Sequence, residues 1–343
     1  MLYPCAAGPE CKLSFKYNNL SEIPSIDEIW NGPEMISIRR HVLDGKAEVL
    51  GCSECEHFGS GISLYDLFNY GDAASDVKKN ANLNISEFLK GRLVLKSKPL
   101  YISADLSYTC NLKCALCELR FDKSKMASHQ VSDLFTKYAA ACRHMHISGG
   151  EPLMDRGFLN YLKNPLSNPP ALSITTNGTY LSESLLRFLE HFKYVNLHIS
   201  CDSFNKLMFE KMRTGSNFNR IIKNIQRAIK YKNKINNDFC GERWHVCLQI
   251  VPTIQNLVEL PEYLDHANDM GVDSVASCLI SGDFPDFDFI RYPSLLDKID
   301  AVFLWNEINV RLKKYPHMEI YGLESILKTL ELRASDQDRK AHE

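Results

Sequence analysis

The chain carries, from Ser107 to Cys117, the stretch SYTCNLKCALC, in which three cysteines follow a short apolar run. That run, Tyr101 to Leu106, has the length and composition of a buried strand. The cysteines are Cys110, Cys114 and Cys117, spaced Cys-x3-Cys-x2-Cys. Three thiolates can occupy three corners of a cubane iron–sulfur cluster and leave one iron without a protein ligand, whereas structural metal sites usually close their coordination shell. The stretch therefore predicts a catalytic metal site at a strand end, and a zinc site lacking one ligand is the alternative.

The bulk composition is ordinary for a soluble globular protein. The chain has 343 residues, 45% of them hydrophobic and 24% charged, with a net charge of −2. This balance gives no reason to expect a nucleic acid or an anionic membrane as partner. The first residues, MLYPCAAGPECK, lack the basic and apolar regions of a secretory signal, and no apolar run approaches the roughly 18 residues of a membrane span. The sequence therefore predicts a cytoplasmic protein.

Twelve cysteines are unusual in such a protein. Because disulfides are rare in a reducing cytosol, clustered cysteines there more often bind metal. A second cluster near the N-terminus consists of Cys5, Cys11, Cys52 and Cys55. It indicates a small metal-stapled module, with a zinc site or unliganded thiols as alternatives. The remaining cysteines are predicted to be small buried hydrophobes: Cys142, Cys201, Cys240, Cys247 and Cys278.

From Tyr101 onward, apolar strand-like runs alternate with helical periodicities. The runs are Tyr101–Leu106, His144–Ser148, Ala171–Thr175, Val195–Ser200, Val246–Val251 and Ser274–Ile280. Six strands, each followed by a helix, imply parallel pairing with right-handed crossovers. The predicted fold is therefore α/β, a partial (β/α)6 TIM-like barrel with a small N-terminal cysteine-rich module.

Polar and glycine-rich clusters follow the first four strands at the same end. The first strand leads to Cys110, and the next three end in the clusters Ser148–Pro152, Thr175–Gly178 and Ser200–Ser203. In barrels of this type the site lies at the carboxyl ends of the strands. This convergence predicts one functional site there.

These motifs resemble the radical S-adenosylmethionine (radical SAM) family over roughly residues 99 to 280. Cys110, Cys114 and Cys117 match its signature, and Gly149-Gly150-Glu151 matches its Gly-Gly-Glu motif. The resemblance implies a 4Fe–4S cluster on the three cysteines, with S-adenosylmethionine chelating the remaining iron. It further implies reductive cleavage of that cosubstrate to a 5′-deoxyadenosyl radical, which abstracts hydrogen from a substrate.

The resemblance also implies roles for residues in the later motifs. Gly149 and Gly150 would let the backbone approach the methionyl end, and Glu151 would accept from its ammonium. Arg213 resembles the arginine that pairs with the methionyl carboxylate, for which a guanidinium is suited. The remaining candidate cosubstrate contacts are Asn177, Ser200 and Asp202. Two departures are Leu116, where many members have an aromatic, and the absence of a glycine motif on the fifth strand.

The N-terminal segment resembles the auxiliary-cluster modules called SPASM and Twitch. The residues that match are Tyr3-Pro4-Cys5, the run Ile26–Gly32, Arg39-Arg40 and the pair Cys52 and Cys55. A helix is predicted from Ile26 to Val42 with Ser25 as its N-cap. The start of the module would lie before Met1, so the chain is expected to be truncated or to have an alternative start, and Cys11 is the candidate fourth ligand.

The predicted organisation is a module at 1–58, a connector at 59–98 with a short helix near Ile85–Leu89, a core at 99–285, a helical extension at 286–332 and a disordered tail at 333–343. The acidic and aromatic loop Asp283–Phe289 is either a solvated loop or a substrate contact, and Cys201 and Cys247 are candidate hydrogen donors.

The function predicted from the resemblance is radical modification of a peptide or protein, with an external electron donor of flavodoxin or ferredoxin type. Alternatives are remodelling of a small polar metabolite, a non-catalytic iron–sulfur carrier, and a zinc-stapled interaction protein.

Overall fold

The computed structural model describes residues 25–46, 75–117 and 128–342. Seven strands form one parallel sheet in the order β1-β2-β3-β4-β5-β6-β7. They are β1 Tyr101–Asp105, β2 His144–Ser148, β3 Ala171–Thr176, β4 Val195–Ser200, β5 Trp244–Ile250, β6 Ser274–Ser277 and β7 Glu319–Tyr321. The predicted α/β class and parallel pairing are confirmed.

The helices of the described residues alternate with the strands from β1 onward. The α-helices are α1 Ile26–Trp30, α2 Pro33–Leu43, α3 Ser75–Leu89, α4 Ser128–Asp133, α5 Arg156–Lys163, α6 Glu183–Leu189, α7 Lys206–Met212, α8 Phe218–Asp238, α9 Leu260–Met270, α10 Ala301–Lys314 and α11 Glu324–His342. Shorter turns of 3₁₀- or π-helix are Leu134–Tyr138, Ala139–Ala141, Pro152–Met154, Leu257–Glu259 and Pro293–Lys298.

The chain divides into two compact units. The first comprises Met1–Thr109, Lys123–Ile174 and Phe188–Val195, and the second comprises Cys110–Asp122, Thr175–Arg187 and Asn196–Glu343. The first unit has an aromatic core in which the ring of Phe135 stacks on Tyr161 at 4.6 Å between centroids. In the second unit, the ring centroids of Phe209 and Phe218 lie 5.5 Å apart, beside the buried isoleucines of α8.

All six predicted strands are present, with small shifts at their ends. The seventh, β7, was not predicted, because three residues are too few to give a periodic pattern. The single helix predicted from Ile26 to Val42 is wrong, since α1 ends at Trp30 and α2 begins at Pro33. Proline lacks an N–H and cannot continue a helix, but it suits a first turn. The Ser25 cap is confirmed: its hydroxyl accepts from Glu28 N at 3.2 Å.

Two further helices are longer than predicted. The short helix predicted near Ile85–Leu89 is the end of α3, which begins at Ser75. The prediction of a disordered tail at 333–343 is wrong, because α11 continues to His342. The tail residues contain neither glycine nor proline, and alanine, glutamine, lysine and arginine have good helix propensity.

No helix in the described part of the chain is both long and apolar enough to cross a bilayer.

Candidate metal and cofactor site

The cysteine loop is held in place by main-chain hydrogen bonds. Lys113 N donates to Thr214 O at 2.9 Å, and Ala115 N donates to Met212 O at 2.8 Å. Inside the loop, Cys117 N donates to Cys114 O at 3.3 Å. The loop that follows β1 is therefore fixed to the end of α7 on both sides of Cys114.

Asn177 orients the first cysteine from the loop after β3. Its Nδ2 lies 3.6 Å from Cys110 Sγ and donates to Asn111 Oδ1 at 2.9 Å. Its own Oδ1 accepts from Thr179 N at 2.9 Å. The asparagine was predicted as a cosubstrate contact; its observed partners are the cysteine loop and its own turn.

The three thiols are half-buried, and Cys110 and Cys117 interact electrostatically with Cys114. Burial raises the pKa of Cys114; Arg213 opposes this shift, and Asp202, Cys110 and Cys117 add to it. Because metal ligation requires thiolates, this group would bind a metal with release of protons.

The chemistry of the donor set suits an iron–sulfur cluster, since such clusters are held by cysteine thiolates. Within residues 25–46, 75–117 and 128–342, no three His, Cys, Asp or Glu side chains converge as ligands of one metal ion. In a cubane cluster each thiolate binds a different iron, so the thiols stand farther apart than the ligands of one ion. Three half-buried cysteines on one anchored loop supply thiol donors of this kind.

Arg213 and Asp202 form a nearly buried charge pair beside this loop. Arg213 Nε and Asp202 Oδ2 are 2.9 Å apart, and the two side chains are 11% and 7% exposed. Arg213 Nε is therefore buried in an ion pair with this carboxylate, although the geometry is not that of an aligned hydrogen bond. Burial lowers the pKa of Arg213, but the attraction of Asp202, Cys114 and Cys201 outweighs it and the net pKa is raised. The arginine therefore stays charged and has donor capacity left for an anion.

Asp202 is already committed within the protein. Its Oδ1 accepts from Val251 N at 3.0 Å, and its main-chain oxygen accepts from Asn256 Nδ2 at 2.8 Å. A ribose hydroxyl, the contact predicted for Asp202, would have to share this carboxylate with Arg213 and Val251.

The Gly-Gly-Glu segment lies against the chain that leaves β1. Gly150 N donates to Ser107 O at 2.6 Å, and Glu151 N donates to Thr109 O at 3.0 Å. An added Cβ on Gly149, which has φ +122°, would lie 2.5 Å from Ser107 O, and one on Gly150 would lie 2.3 Å from Thr109 O. Real Cβ atoms do not come that close to another atom. The glycines are therefore required for the contact between these two segments, a role that the sequence did not indicate.

Glu151 is 1% exposed and caps the turn Pro152–Met154, since its Oε1 accepts from Leu153 N at 3.1 Å. A cavity of about 590 Å³ lies beside it in the first unit and includes Ser107, Thr109 and Glu151 in its lining. A ligand in this cavity would reach both the segment leaving β1 and the Gly-Gly-Glu motif.

One face of β1, β2 and β3 is polar, which the sequence reading missed. Ser148 Oγ donates to Asp105 Oδ1 at 2.5 Å, and His144 Nε2 lies 2.7 Å from Ser173 Oγ. His146 lies on the same face of β2, while the alternate residues Met145 and Ile147 are fully buried. The signal was present as the alternation in HMHIS, because parallel strands covered by helices usually read as continuous apolar runs. The interpretation of these strands as apolar runs was therefore incomplete.

β4 repeats this alternation in the second unit. Asn196, His198 and Ser200 are half-buried, and the residues between them are buried. Ser200, predicted as a cosubstrate contact, thus lies on the polar face at the carboxyl end of its strand.

His144 should make the stability of the protein depend on pH. Burial, with the positive charges of His146 and Arg143, lowers the pKa of His144 from 6.5 to about 4. The unfolded chain takes up a proton near pH 6.5, and the folded chain only near pH 4, so the free energy of unfolding falls as the pH is lowered through this window. The loss attributable to this residue is on the order of 2 kcal/mol. Urea unfolding of the native protein and of His144→Gln, each near pH 7.5 and pH 5, measures it; an equal pH dependence in both proteins would contradict the assignment.

The two thiols considered as hydrogen donors are buried. Burial raises the pKa of Cys201 to about 12, and burial likewise raises the pKa of Cys247, whose sulfur lies 3.4 Å from Tyr321 Oη. In the acidic loop, Asp288 Oδ1 accepts from Ile290 N and Arg291 N at 3.1 Å each. Asp288 therefore shapes its own turn, as expected for a structural loop.

The described side chains of the N-terminal motif hold neighbouring segments of the chain together. Trp30 Nε1 donates to Ser97 O at 2.8 Å. Asn31 Nδ2 donates to Leu95 O at 2.9 Å, and Asn31 Oδ1 accepts from Leu95 N at 2.8 Å. The guanidinium of Arg39 lies 4.4 Å from the centre of the Trp30 ring. These residues attach α1 and α2 to the segment before β1. Cys5, Cys11, Cys52 and Cys55 lie outside the described residues.

A family comparison decides how the cysteine loop and the glycine motif are classified. Residues 105–241 match the model of the radical SAM superfamily. Residues 105–241 are thus the part of the chain that is similar to this superfamily. It contains the three cysteines, the Gly-Gly-Glu motif and the pair of Asp202 and Arg213, so the predicted resemblance is confirmed at the level of the superfamily.

Curated relatives of this radical SAM segment are enzymes with different named activities. A GTP 3′,8-cyclase of Limosilactobacillus fermentum is 26% identical over 137 residues, which cover 37% of this chain and 41% of the relative. The mycofactocin maturase MftC of Mycolicibacterium smegmatis is 22% identical over 169 residues, covering 48% of this chain and 41% of the relative. The chain thus aligns with less than half the length of each.

Among solved structures, SuiB of Streptococcus suis bound to the precursor peptide SuiA is similar at 18% identity and a TM-score of 0.48, covering 85% of this chain and 63% of SuiB. The exact reaction is left open by these similarities.

Proposed function

We propose that the chain is a radical SAM enzyme in which Cys110, Cys114 and Cys117 hold a 4Fe–4S cluster. The observation that carries this proposal is the cysteine loop itself, anchored on both sides of Cys114 by main-chain bonds to Met212 and Thr214. When bound, the cluster and S-adenosylmethionine supply the reductive cleavage of the sulfonium and the 5′-deoxyadenosyl radical that abstracts hydrogen.

The protein's own residues would bind and orient these groups. Arg213 is charged, and its guanidinium carries N–H donors besides the Nε that faces Asp202, which supports its predicted role toward the methionyl carboxylate. Asp202 would hold Arg213 in place, and Asn177 would orient Cys110. Ser200 remains the candidate ribose contact on the polar face of β4. Gly149, Gly150 and Glu151, of which Glu151 lines the cavity of the first unit, stay the predicted contacts of the methionyl end.

We further infer an auxiliary iron–sulfur module at residues 1–58, with Cys5, Cys11, Cys52 and Cys55 as its ligands. The core would occupy residues 99–285 and the helical extension residues 286–332. An external flavodoxin- or ferredoxin-type protein would supply electrons, and the cytoplasm is the compartment in which such donors and free thiols coexist.

For the substrate we favour a peptide or protein. The similarity to a mycofactocin maturase supports this choice and extends over a longer part of the chain than the similarity to the GTP cyclase. A small polar metabolite is the second candidate, favoured by the polar faces of β2 and β4 with their half-buried histidines.

Anaerobic reconstitution tests the proposal directly. The native protein should turn brown and convert S-adenosylmethionine to 5′-deoxyadenosine with dithionite. Cys117→Ser should lose about four irons per chain, and 5′-deoxyadenosine formation should fall by at least about 100-fold. Cys240→Ser is the matched control, because Cys240 is an exposed cysteine outside the motif, and it should retain both properties.

The other outcomes separate the rival functions. A brown native protein that does not cleave S-adenosylmethionine would indicate a carrier, and stoichiometric zinc in place of iron would indicate an interaction protein. Either result would overturn the proposal.

A further inference from the structure

Helix α8 carries a continuous row of positive side chains, here called the basic stripe. It consists of Arg220, Lys223, Arg227, Lys230 and Lys234. Their spacing of three and four residues places them along one face of the helix, over a length of about 21 Å. The helix contains a single acidic residue, Asp238, at its last position. Because the whole chain has a net charge of −2, this concentration of positive charge is a local feature.

The positive charges of the stripe are largely uncompensated. Arg220, Lys223, Lys230 and Lys234 are exposed, and within the ranges that the structure describes none of them forms an ion pair with a carboxylate. Lys232, on the opposite side of α8, is buried and lies 2.7 Å from Asp273 Oδ1. The same helix thus neutralises the lysine it buries and leaves the stripe charged.

The stripe borders a groove. A cavity of about 520 Å³ is lined on one side by Arg220, Lys223 and Arg227, and on the other by the segment from Thr179 to Ser182. Arg227 is fixed in this wall, since its guanidinium donates to Leu181 O at 2.9 Å. The surface is therefore concave as well as positive, and it can receive a projecting acidic group.

The groove is coupled to the cysteine loop by a short series of hydrogen bonds. On α8, Asn224 Nδ2 donates to Gly178 O at 2.8 Å and to Thr179 O at 3.2 Å. Thr179 Oγ1, in the wall of the groove, accepts from Asn111 Nδ2 at 3.2 Å. Asn111 directly follows Cys110 in the sequence. One hydrogen bond therefore separates the wall of the groove from the residue next to the first cysteine.

We propose that the basic stripe is the docking surface for an acidic one-electron donor protein of flavodoxin type. This inference rests on the proposed function, which requires an electron from outside the chain. Charge complementarity would bring the acidic rim of the donor's redox centre to the groove, close to Cys110. In the transfer, the donor loses one electron and the cluster gains it, without bond formation or proton transfer.

The docking surface can be tested without turnover. Binding of an acidic flavodoxin is followed by the fluorescence anisotropy of its own FMN, at low and at high salt. The variant Lys223→Glu/Lys230→Glu should weaken binding at low salt by at least about 10-fold, and the salt dependence should largely disappear. The control Lys313→Glu/Lys328→Glu makes the same change in net charge on exposed residues of α10 and α11, and it should bind like the native protein.

Assays of 5′-deoxyadenosine formation with two different reductants distinguish a failure of the docking surface from a failure of the proposed function. The stripe variant should form 5′-deoxyadenosine at the native rate with dithionite and at least about 10-fold more slowly with reduced flavodoxin. Equal loss in the stripe and control variants, or native-like binding by the stripe variant, would overturn the docking surface while dithionite-driven turnover remains. Failure of all proteins to turn over with dithionite would instead overturn the proposed function. Binding of an acidic peptide as tightly as flavodoxin would show that the stripe is no donor site.

Discussion

Replacing Gly150 with alanine should lower the free energy of unfolding by at least about 3 kcal/mol. The new Cβ would lie 2.3 Å from Thr109 O and 2.7 Å from the carbonyl carbon of Tyr108. These are main-chain atoms, and they are held by the hydrogen bonds that Gly150 N and Glu151 N donate to Ser107 O and Thr109 O. The clash can be relieved only by separating the two segments, which removes both hydrogen bonds.

Two other glycines provide matched controls for this prediction. Gly271 has φ +77° but no atom within 4 Å of an added Cβ, so Gly271→Ala should cost only the conformational strain, about 1 kcal/mol. Gly241 has neither a left-handed φ nor a close neighbour, since the nearest atom to an added Cβ would be 4.0 Å away. Gly241→Ala should therefore be close to neutral. Urea unfolding of the three variants measures the series. A Gly150→Ala protein as stable as Gly271→Ala would contradict the close approach.

This motif illustrates what the sequence could and could not predict. The order of strands and the position of Gly149-Gly150-Glu151 at a strand end were predicted, because periodicity and turn residues are local signals. The reason for the glycines was not, because the distance between this segment and Ser107–Thr109 depends on how β1 and β2 pair. Glycine alone does not tell whether a ligand or another part of the backbone comes close.

The polar strand faces were missed for a different reason. His144, His146 and Ser148 alternate with apolar residues. The prediction of a buried strand rested on the run as a whole and not on this alternation. The register that places Ser103 beside His146 and Asp105 beside Ser148 becomes visible only when two strands are paired. Alternation in a strand predicted to be parallel is therefore an informative signal for a site, since both faces of such strands are usually apolar.

The N-terminal motif shows the limit of a resemblance. Trp30, Asn31 and Arg39 were singled out because they resemble a cluster module, and in the described residues they fasten α1 and α2 to the segment before β1. Their contacts are hydrogen bonds from side chains to main-chain oxygens and a cation–π contact, which need no metal. The described residues of the motif thus have a packing role, and the auxiliary module stays a prediction.

The pair of Asp202 and Arg213 should be the most sensitive side-chain contact of the second unit. Asp202→Ala leaves the guanidinium of Arg213 buried without its counter-ion, and it also removes the acceptor for Val251 N. Removing one partner of a buried pair typically costs about 3 to 5 kcal/mol. Glu183→Ala is the control: it breaks the pair with Arg187, whose side chains are 61% and 66% exposed, and should cost less than about 1 kcal/mol.

A double variant distinguishes a buried unpaired charge from a simple loss of packing. Asp202→Ala/Arg213→Met removes both charges and retains an unbranched side chain of similar length, so it should be more stable to urea than Asp202→Ala alone. If the double variant were less stable by the full sum of the two single changes, packing would be the dominant contribution and the charge argument would be wrong. Because Arg213 is also the proposed ligand of the methionyl carboxylate, the double variant should fold and still fail to bind S-adenosylmethionine, which equilibrium dialysis of the reconstituted protein measures. Stability recovered without binding would show that the pair is needed for the cosubstrate independently of its effect on folding.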